Sequence, residues 1–192
     1  MKELDQSWRV FRTLIATSSL PALGPTPRAG RLPLRELNQK IDRYFADASL
    51  NAALQPAVRS AALLWHDYLD ESHTISQDLP GADGSFLHGI MHRREPDFPN
   101  AKYWFHRVGK HRSFPGIAIQ VTRLLDTKGE TGLAAKLSPR GDWDPFAFVD
   151  ACCQAAESPL STTAVQTLQA VQEIEFDCLL ARLFETQDAQ PT

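Results

Sequence analysis

The sequence has few cysteines and no long apolar run. Only three of its 192 residues are cysteine, and two of them are adjacent, Cys152 and Cys153. This count gives neither a disulfide framework nor a metal-binding spacing, so we expect all three, with Cys178 on a helical apolar stripe, to be core thiols. No apolar run approaches the roughly 18 residues needed to cross a bilayer, and no N-terminal segment resembles a signal peptide. The sequence therefore predicts a cytoplasmic protein with no membrane partner.

Several catalytic signatures are also missing. The sequence has no phosphate-binding loop, no glycine fingerprint, no Gly-x-Ser-x-Gly elbow, no His-Glu-x-x-His motif and no Glu-x-x-His pair of the kind that binds di-iron centres. A hydrolytic site is a separate hypothesis, in which Asp70 orients His66 or His73 as a general base. Because no nucleophile is evident for it, the sequence leaves open whether the protein is an enzyme.

The composition favours one all-α domain over residues 1–192. The chain is 43% hydrophobic and 22% charged, and its net charge of −3 gives no indication of nucleic-acid binding. Apolar residues recur at helical spacing and no alternating strand pattern is found. We expect seven or eight helices, a flexible proline-rich loop over residues 18–33 and a frayed end over residues 186–192. The clearest expected helices span about 2–17, 33–48, 56–79, 88–95, 99–110, 117–125, 145–156 and 162–185.

The stretch from His88 to Arg112 concentrates four of the six histidines and a local charge of +4, which leaves −7 for the rest of the chain. A basic island on an acidic protein suggests an anionic ligand, although a solvated helix face gives the same pattern. Arginine forks suit phosphate or carboxylate, and aromatic rings offer flat surfaces. The candidate ligand-binding residues are Arg93, Arg94, Lys102, Tyr103, Arg107 and His111.

The same stretch contains a candidate metal site. His88, His92 and Glu95 follow each other at spacings of four and three, which place them on one helix face. Asp70 and His73 form a similar pair on the preceding helix. If the two helices face each other, these five residues could hold zinc, iron or manganese.

A structural interpretation competes with the metal site. Buried imidazoles need hydrogen-bond partners, because an unsatisfied one costs about 1–3 kcal/mol. Asp70, Glu71, Glu95 or Asn100 could supply those partners in a network that stabilises the fold without performing chemistry.

The central stretch resembles a single tetratricopeptide or Sel1-like helical hairpin over residues 85–115. The matching positions are Gly89, Asp97, Phe98, Ala101, Phe105 and Val108. In such a hairpin a small residue lets the helices approach and an Asp-aromatic pair makes the turn. No second copy occurs at the 34-residue period, so an array is not expected.

A wider resemblance covers WHDYLDESHTISQ, DGSFLHGIMHRREPDFPNAKYWFHRVGKH, WDPFAFVDACCQAAE and QEIEFDCLLARLF. Together these segments look like an uncharacterised family of all-helical proteins, and the resemblance implies no catalytic residues. The sequence therefore predicts binding of a small anionic ligand, with a divalent metal as a candidate cofactor, in a His/Arg-rich pocket between helices. The alternative is a helical protein-interaction module that binds its partner through the outer surface of Lys102, Arg107 and Lys110.

Overall fold

The protein is all-helical in the computed structural model, which describes residues 4–158 and 160–185. The described residues contain no strand, as the sequence predicted. They form ten α-helices, more than the seven or eight expected: α1 (Leu4–Leu14), α2 (Leu34–Asp47), α3 (Gln55–Trp65), α4 (Leu69–Ser76), α5 (Gly81–Arg94), α6 (Phe98–Val108), α7 (Phe114–Thr127), α8 (Thr131–Leu137), α9 (Pro145–Glu157) and α10 (Thr162–Glu185).

Proline and aspartate start the helices where the sequence predicted. Pro33 immediately precedes α2, and Pro56 lies in the first turn of α3. Asp144 caps α9 by accepting hydrogen bonds from the backbone N–H groups of Phe146 and Ala147. Such a side-chain cap satisfies N–H groups that have no acceptor within the helix.

The expected single helix over 56–79 is wrong, because the chain breaks it at His66–Tyr68. Asp67 adopts a left-handed backbone conformation, with φ of 61°. The break is stabilised from outside the helix: His66 accepts a hydrogen bond through Nδ1 from the Leu32 N–H, and the Tyr68 hydroxyl donates to the Leu32 carbonyl. Helical periodicity continues across the break, so the local pattern alone does not reveal it.

Two further helix boundaries differ from expectation. No helix was expected between residues 125 and 145, but this segment contains α8 and a short 3-10 turn, Pro139–Gly141. Helix α5 begins at Gly81, earlier than the expected start near His88. Gly84 lies inside that helix, where it packs on Leu79. The position needs glycine because an added Cβ would lie 2.4–2.8 Å from backbone and Cβ atoms of Leu79.

Helices α5 and α10 organise the core. Helix α10 packs against α1, α3, α7 and α9, and α5 packs against α3, α4 and α6. Contact between α5 and α6 is close at Gly89, where an added Cβ would lie 3.1 Å from the Phe105 ring. This arrangement brings one face of α5 against α4 and α6, and that face carries the candidate site.

The irregular segment before α2 is tied to the core by hydrogen bonds. Trp65 donates its indole N–H to the Thr17 hydroxyl, and Gln172 of α10 donates to the Ala22 carbonyl. The predicted frayed end, residues 186–192, lies outside the described residues. None of the described helices combines the length and the apolar character that a bilayer crossing requires.

Candidate functional site

Three histidines from two helices meet at one point. His73 of α4 and His88 and His92 of α5 each offer a ring nitrogen, and these nitrogens lie within 4.8 Å of one another. The ring centroids of His88 and His92 are 4.7 Å apart with the rings nearly parallel, and His73 meets both rings edge-on. The i,i+4 spacing aligns His88 and His92 on one face, and α4 packs against that face.

The surroundings of His88 and His92 favour neutral imidazoles. The pKa of His88 is lowered to about 4, first because burial penalises the charged ring and then because His92 and His73 would repel a further positive charge. Burial also lowers the pKa of His92, although the nearby Glu95 carboxylate opposes that change. Neutral rings carry the lone pair that a metal ion needs.

Glu95 orients the His92 ring. Its Oε2 atom lies 3.2 Å from His92 Nδ1, and it accepts the proton carried there. The Asn100 amide nitrogen lies 3.1 Å from Nε2 and 3.4 Å from Nδ1. A position so close to both nitrogens lies outside the ring plane, since an in-plane position would collide with Cε1. The in-plane lone pair of His92 Nε2 therefore remains available.

His88 is held by ring stacking and by a hydrogen bond to the Ser76 backbone. The Trp104 ring of α6 stacks on it at a centroid distance of 3.9 Å and an interplanar angle of 12°. His88 is only 3% exposed, yet its Nδ1 has no hydrogen-bond partner among the described residues. Buried polar atoms in native proteins are nearly always satisfied, so this nitrogen is an exception to the usual pattern.

The structure divides the five predicted metal ligands into two groups. His73, His88 and His92 converge, and Glu95 contacts His92 rather than the common centre. Asp70 does not belong to the cluster: it lies on the exposed side of α4. Because the chain breaks at Asp67, the expected continuous face of His66, Asp70 and His73 does not form.

The six predicted ligand-binding residues do not converge. Arg93 is fully buried and forms a two-point ion pair with Glu175 of α10, with 3.0 Å between Nη1 and Oε1. Burial lowers the pKa of Arg93, but the Glu175 carboxylate outweighs it and the net pKa is raised. This guanidinium therefore neutralises an internal carboxylate and does not face a pocket shared with the other five residues.

Arg94 points away from Arg93, as successive residues of a helix must. It donates to Asp67 Oδ1 at 2.6 Å and to the backbone carbonyls of Leu64 and Ala22. Asp67 is only 5% exposed and also contacts Arg28. Arg94 thus joins α5 to the break between α3 and α4.

The remaining candidates on α6 lie near the surface. Lys102 forms an ion pair with Asp150 of α9 at 2.5 Å. Arg107 donates to the Tyr103 hydroxyl at 3.2 Å and lies over the Trp104 ring. Of the three cations predicted to form the outer basic surface, Arg107 and Lys110 are exposed, whereas Lys102 is already paired.

His111 is buried in a separate polar chain. Its Nε2 lies 2.8 Å from Asp83 Oδ1, and its Nδ1 lies 2.7 Å from the Ser113 hydroxyl. Burial alone would raise the pKa of Asp83, but the hydrogen bond and charge of His111 prevail and lower it. Both ring nitrogens are engaged, so His111 stabilises the loop between α6 and α7.

Two important partners were not identified from the sequence. Trp104 is the half-buried ring that stacks on His88. Glu175 lies between Val171 and Leu179 on the buried stripe of α10. An acid at spacing four within an apolar stripe is a signal of an internal ion pair that could have been used.

Comparison with known proteins finds no relative: no family model, curated protein or solved structure matches the chain. A function for this chain must therefore be argued from the geometry of its site.

Proposed function

We propose that the protein binds a divalent transition metal, zinc in the first place, through His73, His88 and His92. The metal then holds a small anionic ligand at a coordination position that the protein leaves open. The observation that carries this proposal is the buried, unpartnered Nδ1 of His88 within a cluster of three imidazoles.

The spacing of the nitrogens supports a metal site after small side-chain movements. Zinc binds histidine nitrogen at about 2.0–2.1 Å, so ligands of a tetrahedral ion lie about 3.4 Å apart. The three nitrogens already lie within 4.8 Å of one another. Rotation of the half-buried His73 ring toward the α5 pair would close most of the difference, while Trp104 holds His88 in place.

The hydrogen bonds and charges around the three histidines also suit a metal site. Glu95 accepts the Nδ1 proton of His92, which leaves Nε2 for the ion. A carboxylate behind a metal-bound imidazole fixes the tautomer and raises the basicity of the ligand. Depressed pKa values keep His88 and His92 deprotonated at neutral pH, so a metal need not compete with protons.

The ligand count supports an open position. Sites with four protein ligands are closed and structural, whereas three protein ligands leave room for water or an anion. Two carboxylates, Glu95 and Asp97, lie within 4.0 Å of the cluster at His92 Nδ1, on the side of that ring away from Nε2. An anion would therefore bind to the metal itself, since Arg93 and Arg94 are committed to internal carboxylates.

Titration of chelator-treated protein with Co²⁺ and Zn²⁺ tests the proposal. We expect one equivalent to bind, with visible Co²⁺ absorption bands typical of a low coordination number. His73→Ala should weaken binding at least about 100-fold, as expected for loss of a direct ligand. His106→Ala is the matched control because His106 is exposed on α6 and outside the cluster; its affinity should equal that of the wild type.

Azide tests the open position. Added to the Co²⁺ protein, it should shift the absorption bands as it enters the coordination sphere. Unchanged bands would refute the anion-binding part of the proposal alone. Absence of Co²⁺ and Zn²⁺ binding would refute the whole proposal and leave the structural histidine network as the explanation of the cluster.

A further inference from the structure

A second cavity lies where the loop after α6 meets the segment that leads into α9. Its volume is about 550 Å³, within the range of about 300–1,000 Å³ typical of small-molecule sites. None of the three clustered histidines lines it, so it is separate from the proposed metal site. Its walls include Lys110, His111, Phe114, Arg140, Trp143 and Phe146.

We propose that this cavity binds a small organic carboxylate with a flat apolar body. The apolar part would pack between the aromatic walls, and the carboxylate would lie toward Lys110 and Arg140. The proposal does not depend on the metal site.

The aromatic walls support an apolar ligand body. Phe114 and Trp143 come from separate parts of the chain, and Phe146 is one of the few large hydrophobic side chains left exposed, at 36%. Trp143 is 5% exposed, and its indole N–H has no acceptor among the described residues. Because that N–H group is itself closed to solvent, Trp143 contributes apolar ring surface to the wall and not a hydrogen bond.

The charges around the cavity favour an anion. Lys110 and Arg140 are exposed, and neither forms an ion pair with a described residue. Two acids also line the cavity, Asp142 and Asp144, and Asp144 keeps its charge while it caps α9, so the bound carboxylate would lie beside Lys110 and Arg140. Helix α7 also begins at this cavity without a side-chain cap, and the positive end of its dipole attracts an anion.

His111 forms a wall of the cavity and not a catalytic base. The chain Ser113–His111–Asp83 has the order of groups found in serine hydrolases. However, Ser113 is only 6% exposed and does not line the cavity, so its hydroxyl cannot reach a bound acyl group. The same hydrogen bonds instead make the loop a rigid support for Lys110.

Calorimetric titration with phenylacetate and its neutral analogue phenylacetamide tests the proposal on metal-free protein. We expect phenylacetate to bind with a Kd at or below about 1 mM, as suits a ligand of about ten non-hydrogen atoms. Phenylacetamide should bind about tenfold more weakly, because it lacks the charge that strengthens hydrogen bonds to Lys110 and Arg140. Arg140→Gln and Lys110→Gln should each weaken phenylacetate binding about threefold to tenfold without changing the weak binding of the amide.

Lys128→Gln is the matched control, since Lys128 is an exposed cation at the far end of α7. Its Kd for phenylacetate should equal that of the wild type. Equal affinity for the acid and the amide, an unchanged Kd in both Arg140→Gln and Lys110→Gln, or no binding up to about 10 mM phenylacetate would overturn the proposal.

Discussion

Replacement of Glu175 by glutamine should destabilise the fold far more than the same change two residues earlier in α10. Glu175 and its partner Arg93 both have fully buried side chains. The change removes one charge and leaves the Arg93 guanidinium uncompensated in the core. Breaking a buried pair in this way costs about 3–5 kcal/mol, a large part of the 5–15 kcal/mol that stabilises a typical domain.

Glu173→Gln is the matched control. Glu173 pairs with Arg12, but its side chain is 34% exposed and solvent screens the charge. We expect this substitution to cost under about 1 kcal/mol. Urea denaturation followed by circular dichroism measures both values, and the two variants should share the wild-type slope.

The double variant Arg93→Met/Glu175→Met separates the charge effect from packing. Because it removes both charges and keeps similar volume, it should recover most of the stability lost in Glu175→Gln. If Glu175→Gln lowers the free energy of unfolding no more than Glu173→Gln does, Glu175 is not the only group that neutralises the charge of Arg93. The claim that Arg93 serves the core and not a ligand would then be wrong.

Three further predictions follow from the helices around the site. The pKa of His88 is lowered to about 4 in the folded protein, so the unfolded chain takes up a proton at this residue at a higher pH than the folded protein does. The free energy of unfolding therefore falls as the pH falls from about 6.5 to 4. In urea titrations at several pH values, the free energy of unfolding of His88→Gln should fall by about 1–3 kcal/mol less over that range than that of the wild type. Gly89→Ala should cost about 1–3 kcal/mol of stability, because the added Cβ would lie 3.1 Å from the Phe105 ring. Its control, Gly132→Ala, lies in open space within α8 and should stabilise the protein by up to about 1 kcal/mol. Equal shifts of Tm for the two variants would contradict the close approach of α5 and α6. Asp97→Ala should lower stability by about 1 kcal/mol through loss of the α6 cap, and an unchanged Tm would show that the cap contributes nothing.

Local sequence patterns were sufficient for the fold class and for part of the site. Apolar periodicity predicted an all-α chain, and Asp144 with Pro145 predicted the start of α9, because these signals act within a few residues. The spacing of His88 and His92 placed them on one face for the same reason. That His73 would meet them needed one assumption, a close packing of α4 on α5, and the structure has that packing.

Long-range contacts explain what the sequence did not reveal. The break after α3 depends on Leu32, which lies more than 30 residues from His66 and Tyr68. Arg93 lies 82 residues from Glu175, so its role as an internal cation could not be distinguished from a ligand-binding one. The basic residues between His88 and Arg112 therefore form two groups: arginines whose side chains enter the core, and cations that stay on the surface.

The segment between α1 and α2 contains four prolines over residues 18–33 and no regular secondary structure. Even so, the segment receives hydrogen bonds from three separate parts of the core: Trp65 donates to the Thr17 hydroxyl, and Arg94 and Gln172 both donate to the Ala22 carbonyl. Proteolytic cleavage in this segment would therefore weaken its contacts with α3, α5 and α10 together, unlike cleavage of an ordinary exposed loop. Insertions that are harmless in most surface connections should accordingly impair folding when placed at Pro21 or Ala22.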